Sequence, residues 1–444
     1  MSSDSSASSS VSDVAAPIGA PAPAAAPPAP PQAKPAPTPN PYILPPDVPT
    51  NDAGQGIHFD FNWGARVLMP KCPEGKWRAT LTDLDSSTII FQGELEEGHL
   101  SSTKKFYIRF AVDVRRVSPD GTETLVLHHE FDARGKVVLV QLPVGTLGDT
   151  LGWFPYVARF ARQSGARVVC CLAGVFIPLF AKEYPDIELM TKAQFEESPL
   201  RRLVYATYNI GLFFDDQDNI HQPCDFRYVG LHRTAGYILG VDPTEEPPRV
   251  VIEDESRPIE EPYVCIATQA SAQCKYWNNP GGWLGVIDFL KKRGYRVICI
   301  DQKPFNGAGI VWNQIPHGAE DQTGNRPLSE RARWLKHADL FIGLSSGLSW
   351  LSWAVGTKTV MISGFTHPNN EFHTPWRVIS WHSCHSCWND PRLMFDHNDF
   401  LWCPRHAKTD RQFECSRLIS TDVVTKNVAD ALGIAPPEKA PVQA

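Results

Sequence analysis

Lys136-Val137-Val138-Leu139-Val140-Gln141-Leu142 is a continuous apolar run of strand length. Gly145-Thr146-Leu147-Gly148-Asp149-Thr150-Leu151-Gly152-Trp153 follows it and opens a helix-like stretch. A strand that is apolar at nearly every position, rather than alternately, belongs in a parallel sheet covered on both faces. A strand, a glycine-rich turn and a helix also make the unit that binds ligands at the carboxyl edge of such sheets. The theme repeats at once, with Ala166 to Leu172 as strand and Val175 to Tyr184 as helix, and further α/β elements run to about Asp242.

A second α/β half begins at Tyr263-Val264-Cys265-Ile266-Ala267-Thr268 and leads into Gln269-Ala270-Ser271-Ala272-Gln273-Cys274-Lys275, a small-residue loop ending in a cation. Trp283 to Arg293 reads as helix, Tyr295 to Ile300 as strand and Asp301-Gln302-Lys303 as its terminal loop. Ser329 to Ala338 reads as helix, and Leu340 to Gly343 as the strand before Leu344-Ser345-Ser346-Gly347-Leu348-Ser349 and a helix over Leu351 to Val355. Small residues at a helix N-terminus leave backbone N–H groups free for a phosphate. A final helix is expected over Thr421 to Leu432.

Each loop also has a plainer reading. Asp149 would serve as a helix cap, Lys275 as a solvated lysine, and the serine-glycine loop as a packing turn. The combination weighs against these readings, because two α/β halves leave a cleft between their strand ends. One half then offers a carboxylate, and the other a cation with an anion-binding helix start. Nucleotide-sugar transfer needs that division, a base for the acceptor and a cradle for the departing diphosphate.

Upstream, residues 1–55 are dominated by Ser, Ala and Pro as far as about Pro49, which provides no core and predicts a disordered spacer. From Gly56 to Gly135 short alternating runs predict a small β domain that could close as a barrel. Its expected strands are Arg66 to Met69, Trp77 to Leu81, Thr88 to Phe91, Lys105 to Val114 and Thr124 to Leu127. The two α/β halves are then 136–245 and 246–380, followed by a cysteine segment, 381–420, and a closing helix and tail, 421–444.

That segment holds Cys384-x-x-Cys387, Cys403 and Cys415 among loop-forming residues. A Cys-x-x-Cys turn points two thiolates at one cation, and two later thiolates complete a tetrahedron. The stretch has too few apolar residues to hold itself together, so a metal would act as a structural cross-link, and none of the four cysteines lies in the nucleotide loops. Two disulfides or four interior thiols are the rival readings, and spacing does not choose between zinc and iron. The formal net charge of −7 and the lack of a basic stripe exclude a general nucleic-acid binder. No apolar run reaches about 18 residues, so no membrane span is expected. The polar start lacks a signal peptide, which points to the cytoplasm, where the eleven cysteines would be thiols or ligands. Cys170, Cys171, Cys265 and Cys299 lie in strand-like runs and are expected in the core.

Leu147-Gly148-Asp149 after a strand, Ala270-Ser271-Ala272 ahead of Lys275-Tyr276-Trp277, and Ser346 to Ala354 resemble heptosyltransferases of the two-Rossmann-domain type. Cys384-x-x-Cys387-Trp388-Asn389-Asp390-Pro391 with Arg411-Gln412-Phe413-Glu414-Cys415 more specifically resembles the bacterial autotransporter heptosyltransferases, over about Gly56 to Ala431. The resemblance implies an α/β fold of two Rossmann-like halves, of GT-B type, behind a small all-β domain that helps receive the protein substrate. It implies transfer of heptose from a β-linked ADP-heptose to serine hydroxyls of autotransporter adhesin passenger domains, with inversion, in the bacterial cytoplasm. Asp149 would be the base. Thr146, Leu147, Gly148, Lys275, Gly343, Leu344, Ser345, Ser346, Gly347 and Leu348 would bind the donor, with Lys303 as a looser sugar-phosphate contact. Cys384, Cys387, Cys403 and Cys415 would hold one iron per chain, with zinc as the alternative, and the chains would assemble into a large ring-like homo-oligomer. A lipopolysaccharide-core heptosyltransferase with a lipid acceptor, and a non-catalytic nucleotide-binding zinc-ribbon interaction protein, are the competing readings.

Overall fold

Val137–Leu142 is buried at every position because it lies inside a sheet, between Arg167–Leu172 on one side and Val204–Asn209 on the other, parallel to both. The computed structural model describes residues 40–143 and 145–437, and the elements below lie in the unit Pro41–Ala444. The first sheet runs in the order Glu188–Met190, Arg167–Leu172, Val137–Leu142, Val204–Asn209, His58–Asn62, Arg66–Met69, Gly98–Ser101, with Asn51–Asp52 paired to His58–Asn62. The second runs Glu320–Asp321, Arg296–Cys299, Tyr263–Ile266, Leu340–Leu344, Thr359–Ile362, Arg377–Val378, parallel throughout. In each half the first strand of the α/β unit has the second on one side and the fourth on the other. Ligands bind outside the carboxyl ends of strands at that reversal.

The section from Gly56 to Gly135 differs from the expected barrel. Three of its strands extend the first Rossmann-like sheet, and four others form an open antiparallel sheet in the order Thr88–Leu95, Lys76–Asp83, Phe110–Val117, Glu123–Glu130. Buried Asp60 and Arg66 fix the join: Arg66 Nε and Nη2 donate to the Asp60 carboxylate at 2.8 and 2.7 Å, and Asn62 Nδ2 donates to it at 2.7 Å. The strand expected over Lys105 to Val114 begins only at Phe110. Ahead of it, the amides of Lys105 and Tyr107 bond the carbonyls of Ile220 and Ile238, crossing to the α/β half.

The expected disordered tail lies outside the described residues up to 39, but 41–55 are part of the fold. Ile43 is buried, and its amide donates to Gln141 Oε1 at 2.7 Å while Gln141 Nε2 returns a bond to its carbonyl at 3.1 Å. Gln141 is the one polar residue in a buried strand and needs such partners. The helix expected over Val175 to Tyr184 shortens to the 3-10 turn Gly174–Phe176 and Ile177–Phe180, and Phe305–Ala308 pairs with Val311–Gln314 in a hairpin that the sequence pattern did not announce. Cys170, Cys171, Cys265 and Cys299 are buried as expected. Among the described residues no helix is long and apolar enough to cross a membrane.

Candidate active site

Two helix N-termini meet at the reversal points. Leu147–Ser164 follows the first strand of one half, and Gly347–Ala354 follows the fourth strand of the other, starting four residues earlier than the sequence pattern suggested. A Cβ on Gly148 would lie 2.8 Å from Trp350, and one on Gly347 would lie 2.9 Å from the Leu147 Cβ, so only glycine at both positions permits the approach. The free N–H groups and positive ends of two helices therefore share one mouth.

Asp149 stands in the first turn. Its Oδ2 accepts from both the amide and the hydroxyl of Thr146, each at 2.8 Å. Burial raises its pKa above the ordinary carboxylate value, against the pull of the Thr146 bonds and of the charges of Lys275 and His397. Lys275 closes the turn Gln273–Lys275, which hangs from the second sheet. Buried Asp301 pins the start of that loop by accepting from Thr268 N at 2.7 Å, Thr268 Oγ1 at 3.0 Å and Gln269 N at 3.3 Å. The Lys275 ammonium lies over three aromatic rings, 5.6 Å from the centroid of Phe365, 5.7 Å from Trp388 and 5.8 Å from Phe395. His397 stands edge-on to Phe395 at 4.7 Å. Burial and the charge of Lys275 lower its pKa, while Asp149 opposes them.

Not every expected donor residue offers a side chain here. Thr146 is exposed at the helix start and Ser346 is the N-cap of Gly347–Ala354. Ser345 is buried, and its hydroxyl donates to Glu371, which in turn pairs with Arg377 at 2.6 Å. Leu344 is wholly buried in the core, and the space beside Gly343 is filled by Phe341 and Ser349. Leu344 and Gly343 therefore leave no side chain free here, and the Ser345 hydroxyl is already engaged. Lys303 is exposed beside the hairpin and makes no hydrogen bond or ion pair among the described residues.

Cys384, Cys387, Cys403 and Cys415 line a single cavity of about 20 Å³, together with Cys274, His406 and Glu414. Ser386 and Phe413, beside these cysteines, both take the left-handed backbone, φ 59°, and the Ser386 amide is tied to the Gly364 carbonyl at 2.8 Å. Glu414 accepts the Cys384 amide at 2.9 Å and a forked pair from Arg411 at 2.8 and 2.7 Å.

Residues 53–118 match the family model for the N-terminal domain of glycosyltransferase TibC, and 242–393 match glycosyltransferase family 9, the heptosyltransferases. Autotransporter heptosyltransferase TibC of Escherichia coli O78:H11 is 52% identical over 379 residues, 85% of this chain and 90% of that protein. The chain belongs to the autotransporter heptosyltransferase family. As a heptosyltransferase it is a glycosyltransferase, and the two Rossmann-like halves carry that fold. The crystal structure of dodecameric, iron-containing TibC in complex with ADP-D-β-D-heptose aligns with a TM-score of 0.82 at 50% identity, covering 88% of this chain and 99% of that one. An inactive member, BimC of Burkholderia thailandensis, is 43% identical over 88% of this chain and 89% of its own.

The cysteine cavity of this heptosyltransferase suits a thiophilic ion. It holds about one ion's volume, and all eleven cysteines are free thiols, which removes the disulfide reading. Burial and neighbouring sulfurs push the Cys387 and Cys415 thiols up to about 12, a cost that a cation among them would reverse. Among the described residues, the possible ligand atoms that all lie within 4.8 Å of one another belong to Cys384, His406 and Glu414. Glu414 is already committed to Arg411 and the Cys384 amide. None of the four spaced cysteines lies in the nucleotide loops, but a fifth thiol joins the two regions: Cys274 lines the cavity and is the residue before Lys275. Cys274, His397 and Asp301 escaped the sequence reading because none lies in a spaced pattern with its partners.

Proposed function

We propose that this heptosyltransferase moves heptose from ADP-heptose to serine hydroxyls in the passenger domain of an autotransporter adhesin, in the bacterial cytoplasm. The observation that carries the reading is the Asp149 carboxylate in the first turn of one of two helices whose N-termini pack together, within electrostatic reach of the Lys275 cation. The diphosphate of the donor suits Lys275 and the backbone N–H groups from Ser346 to Leu348. Asp149 takes the serine proton as the new bond forms, which a neutral hydroxyl requires. One base and no covalent intermediate give inversion, from a β-linked donor to an α-linked heptosyl serine. Lys303 is left as an outlying sugar-phosphate contact.

We assign one iron per chain to Cys384, Cys387, Cys403 and Cys415, with Glu414 orienting the Cys384 turn rather than ligating. Bound there, iron would cross-link a segment that has little apolar core of its own. By likeness to dodecameric TibC, the chain assembles as a ring-like homo-oligomer.

Incubating the protein with ADP-heptose and either an adhesin passenger fragment or a lipid acceptor tests the reading by mass. Heptose on serines of the fragment supports it, and heptose on the lipid instead overturns it. Transfer to neither acceptor would group this chain with inactive BimC and overturn it as well.

A further inference from the structure

Lys275 is half-buried and lies within electrostatic reach of Asp149, yet among the described residues no carboxylate stands at ion-pair distance from its ammonium and no hydrogen bond fixes it. Aromatic faces take that place. Phe365, Trp388 and Phe395 also pack on one another, with centroids 5.2 to 5.6 Å apart, and Trp388 is anchored by its Nε1–H to Asn370 Oδ1 at 2.9 Å. Trp388 follows Cys387 directly, and Phe395 lies between Cys387 and Cys403, so two of the three rings belong to the cysteine segment.

The difference between a carboxylate and a ring matters to an anion. A carboxylate would neutralise the lysine and compete with an incoming diphosphate. A ring face attracts the ammonium through its quadrupole, orients it and leaves its full charge available. A flexible lysine side chain ordered before the ligand arrives also spares the ligand that ordering cost.

We propose that Phe395 and Trp388 are positioning residues for the nucleoside diphosphate. They hold the Lys275 ammonium toward the two helix N-termini, which makes the cysteine segment a wall of the donor site as well as a staple. This rests on the reading of Lys275 as the diphosphate cation.

Calorimetric titration with ADP tests it on four forms of the full chain: parent, Phe395→Leu, Lys275→Met and the double variant. Phe395→Leu should weaken ADP binding about three- to tenfold, the scale of a partly desolvated cation–π contact. In the Lys275→Met background the same change should cost nothing further. Phe395→Tyr, which keeps the ring, should stay within about twofold of the parent. Unchanged affinity in Phe395→Leu, or an equal loss with and without Lys275, would overturn the proposal, the latter because it marks a merely structural role. A Lys275→Met variant that binds ADP like the parent overturns the underlying assignment instead. If Phe395→Leu does not fold, trifluorophenylalanine at 395 keeps the shape and drains the ring face. Loss of affinity then supports the proposal and unchanged affinity sinks it.

Discussion

Asp149 Oδ2 receives both the amide and the hydroxyl of Thr146 at 2.8 Å, so one carboxylate oxygen caps the helix while, among the described residues, no hydrogen bond uses the other. The capping role and the proposed base role therefore fall on different oxygens of one side chain.

Asp149→Asn separates the two roles. Its amide oxygen can still accept from Thr146, so stability should fall by about 1 kcal/mol or less. Transfer should slow at least about a hundredfold while ADP-heptose still binds. Melting temperature, donor affinity and single-turnover rate on that variant are the measurements, and a rate within a few-fold of the parent would remove Asp149 from the mechanism.

The raised pKa of Asp149 gives a pH signature. With Asp149 as the proposed base, transfer needs the ionised form, so the rate should climb with pH through an inflection above the ordinary Asp value of about 3.9. Folding favours the protonated form. That stabilisation is complete below the unfolded-chain value and is lost as pH rises through the folded one. The parent's Tm should accordingly fall relative to that of Asp149→Asn as pH rises through this window, and parallel Tm curves would contradict the burial argument.

Elemental analysis of protein purified without added metal should find one iron per chain, and zinc at full occupancy would overturn the identity. Cys384→Ser or Cys403→Ser should lower stability more than it alters chemistry in whatever folds. Because Cys387 and Cys415 must lose protons from thiols held near 12, metal uptake should release protons and weaken as pH falls. A dye-monitored pH change on iron addition reads this directly.

Asp60→Ala should cost about 3 to 5 kcal/mol, because it strands the nearly buried Arg66 guanidinium without its partner. The same geometry predicts that deleting 56–135 leaves no soluble nucleotide-binding remainder, since His58–Asn62 pairs directly with Val204–Asn209. Urea denaturation of the point variant and solubility of the deletion check the two statements. A soluble deletion that binds ADP would show the α/β sheet to be complete without these strands.

Much of the fold could be read along the chain because buried parallel strands are locally apolar. Val137–Leu142, Tyr263–Ile266 and Leu340–Leu344 each declare themselves by composition alone. The cysteines were legible by spacing and the Asp149 turn by its place after a strand. The Lys275 surroundings were not, because Phe365, Trp388 and Phe395 are scattered through loops with no periodicity and converge only in three dimensions. Ile43 was hidden by the proline-rich composition around it, and its place is dictated by Gln141, almost a hundred residues away. The barrel expectation failed because alternation predicts strands but not which sheet they join.

The contact of Gly148 with Gly347 also bears on how the enzyme could move. Trp350 is 3% exposed and packed where a Cβ on Gly148 or Gly152 would stand, so pulling the halves apart at this point would bare an indole to water. The two halves are in effect riveted at the floor of the cleft. An opening of the cleft would then be a rotation about that rivet, smallest beside Gly148 and Gly347 and growing with distance from them, so that the proposed diphosphate cradle would keep its shape while more distant parts of the cleft move.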